Sequence, residues 1–187
     1  VNVFSAISKF LKAYIFINMT LKVGDLPMSE ALKKLANQKP KYDSQKQIFI
    51  QSFQLLEDAN TQLTTLINAA DVSLSGDIFF LERTSGAQSA LESLKKWQKV
   101  VNTFRLRSLI QLSKKDSDAD LKVKQQFADI LGNPTKYPIM TSNADNLEYV
   151  YNAVNNKYPD NKESFGFDAL RYNLAATWVN NFAALND

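Results

Sequence analysis

The chain has 187 residues, of which 45% are apolar and 22% charged, with only 5 Gly and 5 Pro; such a chain buries a core as one domain or one lobe of something larger. Its 22 basic and 19 acidic residues leave a net charge of +3 spread along the sequence, too weak and diffuse for a nucleic-acid footprint or an anionic-membrane patch. His and Cys are both absent, which excludes a Ser-His-Asp triad, a Cys nucleophile, a His base, disulfides and an ordinary zinc or iron site.

From the N-terminus, Phe4, Ile7, Leu11, Tyr14, Ile17 and Met19 follow helical spacing, with Lys9 and Lys12 between them, and predict an amphipathic helix over 3–21. Its most apolar run, Ala13 to Met19, is far shorter than the roughly 18 residues that span a bilayer. No basic segment leading into an apolar stretch opens the chain and no Met precedes Val1, so it reads as starting within a longer protein. The helix should stop before Gly24 in VGDLP, after which Ser29 is placed to cap a short helix, SEALKKL, ending by Pro40.

Ser44 and Gln47 have capping-box spacing and open a long helix over 44–69, with Phe49, Phe53, Leu56, Leu63 and Ile67 on one face. The pattern dissolves in DVSLSGD. Ser89 and Glu92 repeat the box at the start of a helix over 88–113, whose stripe is Leu94, Trp97, Val101, Phe104 and Leu109. A fourth helix is expected over 120–131, closed by Gly132 as a C-cap. From Asn133 to Gly166 three prolines and many Asn and Tyr residues predict a long irregular region, with a short strand at LEYVY. Phe167, Leu170, Leu174, Trp178, Phe182 and Leu185 then return to helical spacing and predict a closing helix over 167–185. The fold class is all-α, with successive helices packed as antiparallel pairs. Three stretches are distinguished: a helical scaffold over 1–132, an irregular Tyr- and Asn-rich region over 133–166, and the closing helix over 167–187.

Among chemistry-bearing clusters, Asp116, Asp118 and Asp120 have the alternate spacing of a calcium loop, but Leu121 stands where that loop needs Gly and Phe127 where it needs Glu. Carboxylates beside a helix N-terminus are the better account. Asp25, Glu30, Asp77 and Glu82 are the acids that a two-carboxylate glycosidase could use, though sequence spacing does not measure their separation. Arg105 and Arg107 project about 200° apart on their helix, so one of them should meet the core side and pair there with a carboxylate or loop carbonyls. Tyr137, Tyr149, Tyr151, Tyr158 and Phe165 lie among Asn143, Asn146, Asn152, Asn155, Asn156 and Asn161. Such rings either pin loops through their hydroxyls or stack on sugar faces while Asn side chains bond the hydroxyls.

In order along the chain come VGDLPMSEAL, YDSQKQIF, LLEDAN, SGDIFF, WQKVVNTFRLRSLIQLS and, near the end, R-x-N-x-x-A-x-W-V-x-x-F-x-x-L-N-D. This series resembles the SusD/RagB family over nearly the whole chain, most closely the SusD-like branch with an insertion before the Trp, here LERTSGAQSALESLKK. The resemblance implies a scaffold of tetratricopeptide-like helix pairs in a lipid-anchored protein on the surface of a bacterial outer membrane. It implies a binding protein, not an enzyme, that captures oligosaccharide for a SusC-like TonB-dependent transporter; the absence of His, Cys and a convergent acidic loop predicts no cofactor or metal. The anchor would lie outside this chain, which lacks the family's lipobox Cys and is far shorter than usual members. The matched residues Gly24, Asp25, Pro27, Trp97, Asn102, Arg105 and Arg107 read as structural, and no glycan contact transfers by motif. The candidate ligand residues are therefore Tyr149, Tyr151, Tyr158 and Phe165. The competing classes are a helical-repeat module that binds protein without sugar, and the two-carboxylate glycosidase.

Overall fold

A helix needs acceptors for its first free N–H groups, and Asn2 supplies one: its Oδ1 accepts from Ser5 N at 2.7 Å and opens α1 (Val3–Val23). The computed structural model describes residues 2–31, 33–70, 77, 79–80, 89–149, 151, 157–158 and 176–185. The remaining helices are α2 (Gln45–Ala69), α3 (Ser89–Gln111), α4 (Val123–Gly132) and α5 (Ala176–Leu185). Among the described residues there is no strand, only an isolated bridge between Leu26 and Asp43. The all-α expectation holds. The start of the closing helix, 167–175, and the side chains of its stripe residues Phe167, Leu170, Leu174, Trp178, Phe182 and Leu185 lie outside the described set.

The buried face of α1 is only in part the expected one: Ile17 is buried and Ile7 packs on the core, but the rest of the stripe differs. Val3, Ala6, Phe10, Ala13, Phe16, Ile17 and Thr20 turn inward, whereas Phe4, Leu11, Tyr14 and Met19 are exposed. Ala6 and Ala13, together with Ala59 of α2, are fully buried beside Phe10 and Ile17, so small residues that weigh little in an apolar pattern share the packing seam with large ones. Gly24 ends α1 at φ 78, a region that costs a glycine little, and its N–H returns to Thr20 O at 2.9 Å.

The stretch between α1 and α2 is held by carboxylates. Leu26 and Asp43 exchange backbone bonds at 3.2 Å, and the Asp43 side chain accepts from Met28 N (2.9 Å), Ser29 N (2.7 Å) and Ser29 Oγ (2.8 Å). Ser29 is thus a donor to a loop anchor, and among the described residues between α1 and α2 the helical element is a 3-10 turn at Lys34–Ala36. At the head of α2, Ser44 Oγ accepts from Gln47 N at 3.3 Å, as the capping box requires, and Asp25 Oδ1 accepts from Gln45 N at 2.7 Å. Gln45 Nε2 also reaches Thr20 O at 2.7 Å, so the end of α1 meets the start of α2 and the two run antiparallel.

α3 continues the stack against α2. Gln98 bonds Asn60 and Thr64, Asn102 bonds Asn60, and Arg105 bonds Glu57, a descending order on α2 against a rising one on α3, as antiparallel neighbours require. Phe10 of α1 meets Trp97 and Phe104 of α3 with ring centroids 5.8 Å apart in both pairs, so α1, α2 and α3 share one core. α4 begins at Val123, later than expected, because residues 119–121 form a turn and Lys122 takes the left-handed conformation at φ 47. Gly132 is its last residue, and the cap is Asn133 at φ −127, not a left-handed glycine.

The stretch after α4 is irregular yet partly buried: Tyr137 belongs to the core, and Ile139, Met140 and Leu147 pack on it. Leu147, Glu148, Tyr149 and Tyr151 form no strand, since β-propensity alone supplies no partner chain for their backbone. By internal contacts the chain divides into two compact units, Val1–Glu148 and Tyr149–Asp187.

Candidate functional site

Candidate acids and aromatics sort by what their polar atoms already do. Asp77 is buried; its Oδ1 accepts from Phe79 N (2.9 Å) and Phe80 N (3.3 Å), and its Oδ2 from Trp97 Nε1 (2.9 Å). Phe79 and Phe80 then meet the Trp97 ring edge-on at 5.6 and 5.4 Å. Asp25 caps α2, and Glu30 Oε2 accepts from Asn37 Nδ2 (2.9 Å) and Lys41 N (3.1 Å). Three of the four acids considered for glycoside hydrolysis are therefore structural ties, and Glu82 lies outside the described residues. Among the described residues no cluster of three His, Cys, Asp or Glu could hold a metal ion.

The Asp116–Asp120 cluster is neutralised by lysines. Asp118 and Asp120 meet Lys46 at 2.8 and 2.6 Å, Asp116 meets Lys124 at 2.5 Å, and Asp118 Oδ1 closes a turn by accepting from Asp120 N and Leu121 N. The bond to Lys46 holds the Asp118 carboxyl below its ordinary range, and both aspartates raise Lys46.

Arg105 pairs with a carboxylate as expected, and Arg107 faces solvent. The Arg105 guanidinium is buried, donates to Glu57 through one terminal nitrogen and to Gln126 Oε1 through Nε (3.2 Å) and Nη2 (2.6 Å). Tyr137 Oη donates to the same Glu57 carboxylate at 3.0 Å, and Lys136 approaches it at 3.4 Å. Burial works against ionisation of Glu57, but the Arg105 bond and charge, then Tyr137 and Lys136, outweigh it and hold the carboxyl below its ordinary value. Glu57, Arg105, Gln126 and Tyr137 line a cavity of about 330 Å³ with Ile50, Phe53 and Leu121. Its polar walls are largely engaged with one another, so it is read as the junction of α2, α3 and α4. A matching tie lies nearby: Lys99 Nζ bonds Asp145 at 2.8 Å, and Lys99 followed by the Thr141 N–H keeps that carboxyl low.

The polar seam of Asn60, Gln98 and Asn102 was not anticipated by pattern. Asn60 Oδ1 accepts from Gln98 Nε2 and Asn102 Nδ2, each at 3.0 Å, and Asn102 Nδ2 also reaches Pro138 O at 3.0 Å. The signal was present: Asn60 falls at core spacing, four after Leu56 and three before Leu63, and a polar residue in such a stripe must find partners.

Tyr137 is thus a loop pin. Tyr149, Tyr151 and Tyr158 meet one another. Tyr151 meets Tyr149 with centroids 5.3 Å apart at 86° and Tyr158 with centroids 5.0 Å apart at 83°, while the three residues are 42%, 42% and 55% exposed. Successive rings at right angles form the walls of a corner, each wall an apolar face edged by a hydroxyl. Three of the four candidate ligand residues therefore come together; Phe165 lies outside the described residues.

Residues 1–187 match a SusD-like family described as "Starch-binding associating with outer membrane". The chain belongs to that SusD-like family. Solved structures agree: an outer membrane protein from Bacteroides vulgatus described as involved in nutrient binding is 32% identical with a TM-score of 0.72 over 88% of this chain. Two SusD homologs from Bacteroides fragilis are 35% and 34% identical, with TM-scores of 0.68 and 0.67 over 82% and 84% of this chain. The SusD-like chain covers 33%, 29% and 31% of those three, so it spans about a third of their length. No curated protein matches it. The scaffold is the helical, tetratricopeptide-like one of these relatives. Among the described residues no helix is long and apolar enough to cross a membrane.

Proposed function

We propose that this chain is part of a cell-surface glycan-binding protein of a SusC/SusD-type uptake system, in which Tyr149, Tyr151 and Tyr158, with Phe165 further along, hold oligosaccharide for a TonB-dependent transporter. Membrane attachment would be through a lipid anchor outside this chain. The observation that carries the reading is the exposed corner of three rings, each within 5.3 Å of a neighbour. A pyranose presents C–H groups on its faces and hydroxyls around its edge, so it can lie on one wall while its rim meets the next ring's hydroxyl. Family membership supports a sugar as the ligand class, and its description makes starch the first probe.

The test is retention by starch, and by a panel of other glycans, in native affinity electrophoresis. Tyr151→Ala, which removes the ring that touches both others, should weaken retention about tenfold, equivalent to ~1.4 kcal/mol, while Tyr151→Phe keeps most of it. The melting temperature of Tyr151→Ala should stay near that of the parent. Unchanged retention of every glycan bound by the parent, in a folded triple Ala variant of Tyr149, Tyr151 and Tyr158, would overturn the assignment.

A further inference from the structure

The outward face of α1 is apolar along most of its length. Phe4 is 60% exposed, Leu11 42%, Ile15 51% and Met19 47%. At 100° per residue these four fall within an arc of about 80°, and from Phe4 to Met19 they run about 22 Å along the axis. Tyr14, on the shoulder of the same arc, is also exposed. A single exposed leucine needs no explanation, but four large apolar side chains on one arc, shared only with exposed Ser8 and Lys22, do.

The opposite face of α1 is already committed to α2 and α3, so the stripe is a second packing face on one helix. In a stack of helix pairs, a helix that ends the stack turns a polar face to water. α1 does not. Its solved relatives are about three times longer, since this chain covers only 29% to 33% of them, so a natural-length protein of their size has ample chain to cover the stripe. Charge narrows the occupant further. α1 contains no Asp or Glu, and exposed Lys12 and Lys22 lie among the stripe residues, so a complementary surface is apolar with acidic flanks.

We infer that the outer face of α1 is an internal packing surface of the natural-length polypeptide, covered by an amphipathic helix with acidic flanks from outside these 187 residues. This packing is independent of what the protein binds. Because the chain has no Cys, a thiol introduced at Ile15 or Leu11 is unique within it. The experiment measures maleimide labelling of Ile15→Cys, and separately Leu11→Cys, in a soluble natural-length polypeptide freed of other thiols, folded and in urea. Circular dichroism establishes that each variant is folded. Folding should slow labelling at both positions at least tenfold in the natural-length polypeptide, but only a fewfold in the 187-residue chain. Labelling equally fast in folded and unfolded natural-length polypeptide overturns the inference. So does protection that appears only on adding the transporter, which would assign the face to that partner, or protection already present in the 187-residue chain at a dimer's mass, which would assign it to a second copy.

Discussion

Glu57 shows how a single carboxylate joins three parts of the chain: it accepts from Arg105 of α3 and Tyr137 of the following stretch while sitting on α2. Arg105→Ala would leave that carboxylate facing a partly buried site without its guanidinium, and should cost about 2–3 kcal/mol, somewhat below the ~3–5 kcal/mol of a fully buried pair. Thermal melting of the variant checks this. The pH dependence has a defined sign. The folded-state pKa of Glu57 lies below its ordinary 4.5, so the contribution is complete above that value and is lost as pH falls through the folded pKa. Melting temperature should therefore fall below about pH 4.5, and Glu57→Gln should show a shallower acid slope than the parent. Asp145, Asp43, Asp118, Asp116 and Glu30, also held low, add to the slope. An identical slope in the Gln variant would mean that Glu57 is not held in its charged form by this network. At this scale the sequence was a fair guide. An Arg on the core side of a helix must find an acceptor, so its structural role was legible, but which acid it would meet depends on the separation of α2 and α3, which no spacing within one helix encodes.

Helices were legible where caps and periodicity agreed, as at Ser44 and Gln47, and misread where size stood in for burial, as on α1. Alanines carry little weight in an apolar pattern, yet Ala6 and Ala13 are wholly buried on the inward face of α1. SEALKKL was misread for another reason: Ser29 is a good cap in isolation, but the Asp43 carboxylate takes both its N–H and its hydroxyl. That same fact makes the 24–44 connection a designed element and not slack. Asp43→Ala removes the acceptor for two backbone N–H groups and one hydroxyl, and should destabilise by about 2 kcal/mol, whereas Asp43→Asn keeps one oxygen acceptor and should cost about half as much. Chemical denaturation of both variants tests the order. Equal losses would show that charge, not the acceptor, holds the connection.

The whole molecule separates stability from the proposed ligand surface. Every residue of the buried core named above, from Val3 to Leu147, belongs to the first compact unit, Val1–Glu148, while the three candidate tyrosines belong to the second. Phe10, Phe49, Phe80, Trp97 and Leu109 are almost wholly buried in the first unit, and truncating any one such aromatic to Ala should cost about 3–5 kcal/mol. A chain ending at Glu148 keeps all of them, with the Asp77–Trp97 bond and the Glu57–Arg105 junction. It should therefore give a helical far-UV spectrum and a single cooperative unfolding transition. The same truncated chain lacks Tyr149, Tyr151 and Tyr158 and should show no glycan retention where the 187-residue chain does. A truncated chain without a cooperative transition would mean that residues beyond Glu148 complete the core. Undiminished retention by a folded truncated chain would move the sugar contact onto the helical scaffold, and the polar cavity beside Arg105 would be the first place to probe it by substitution.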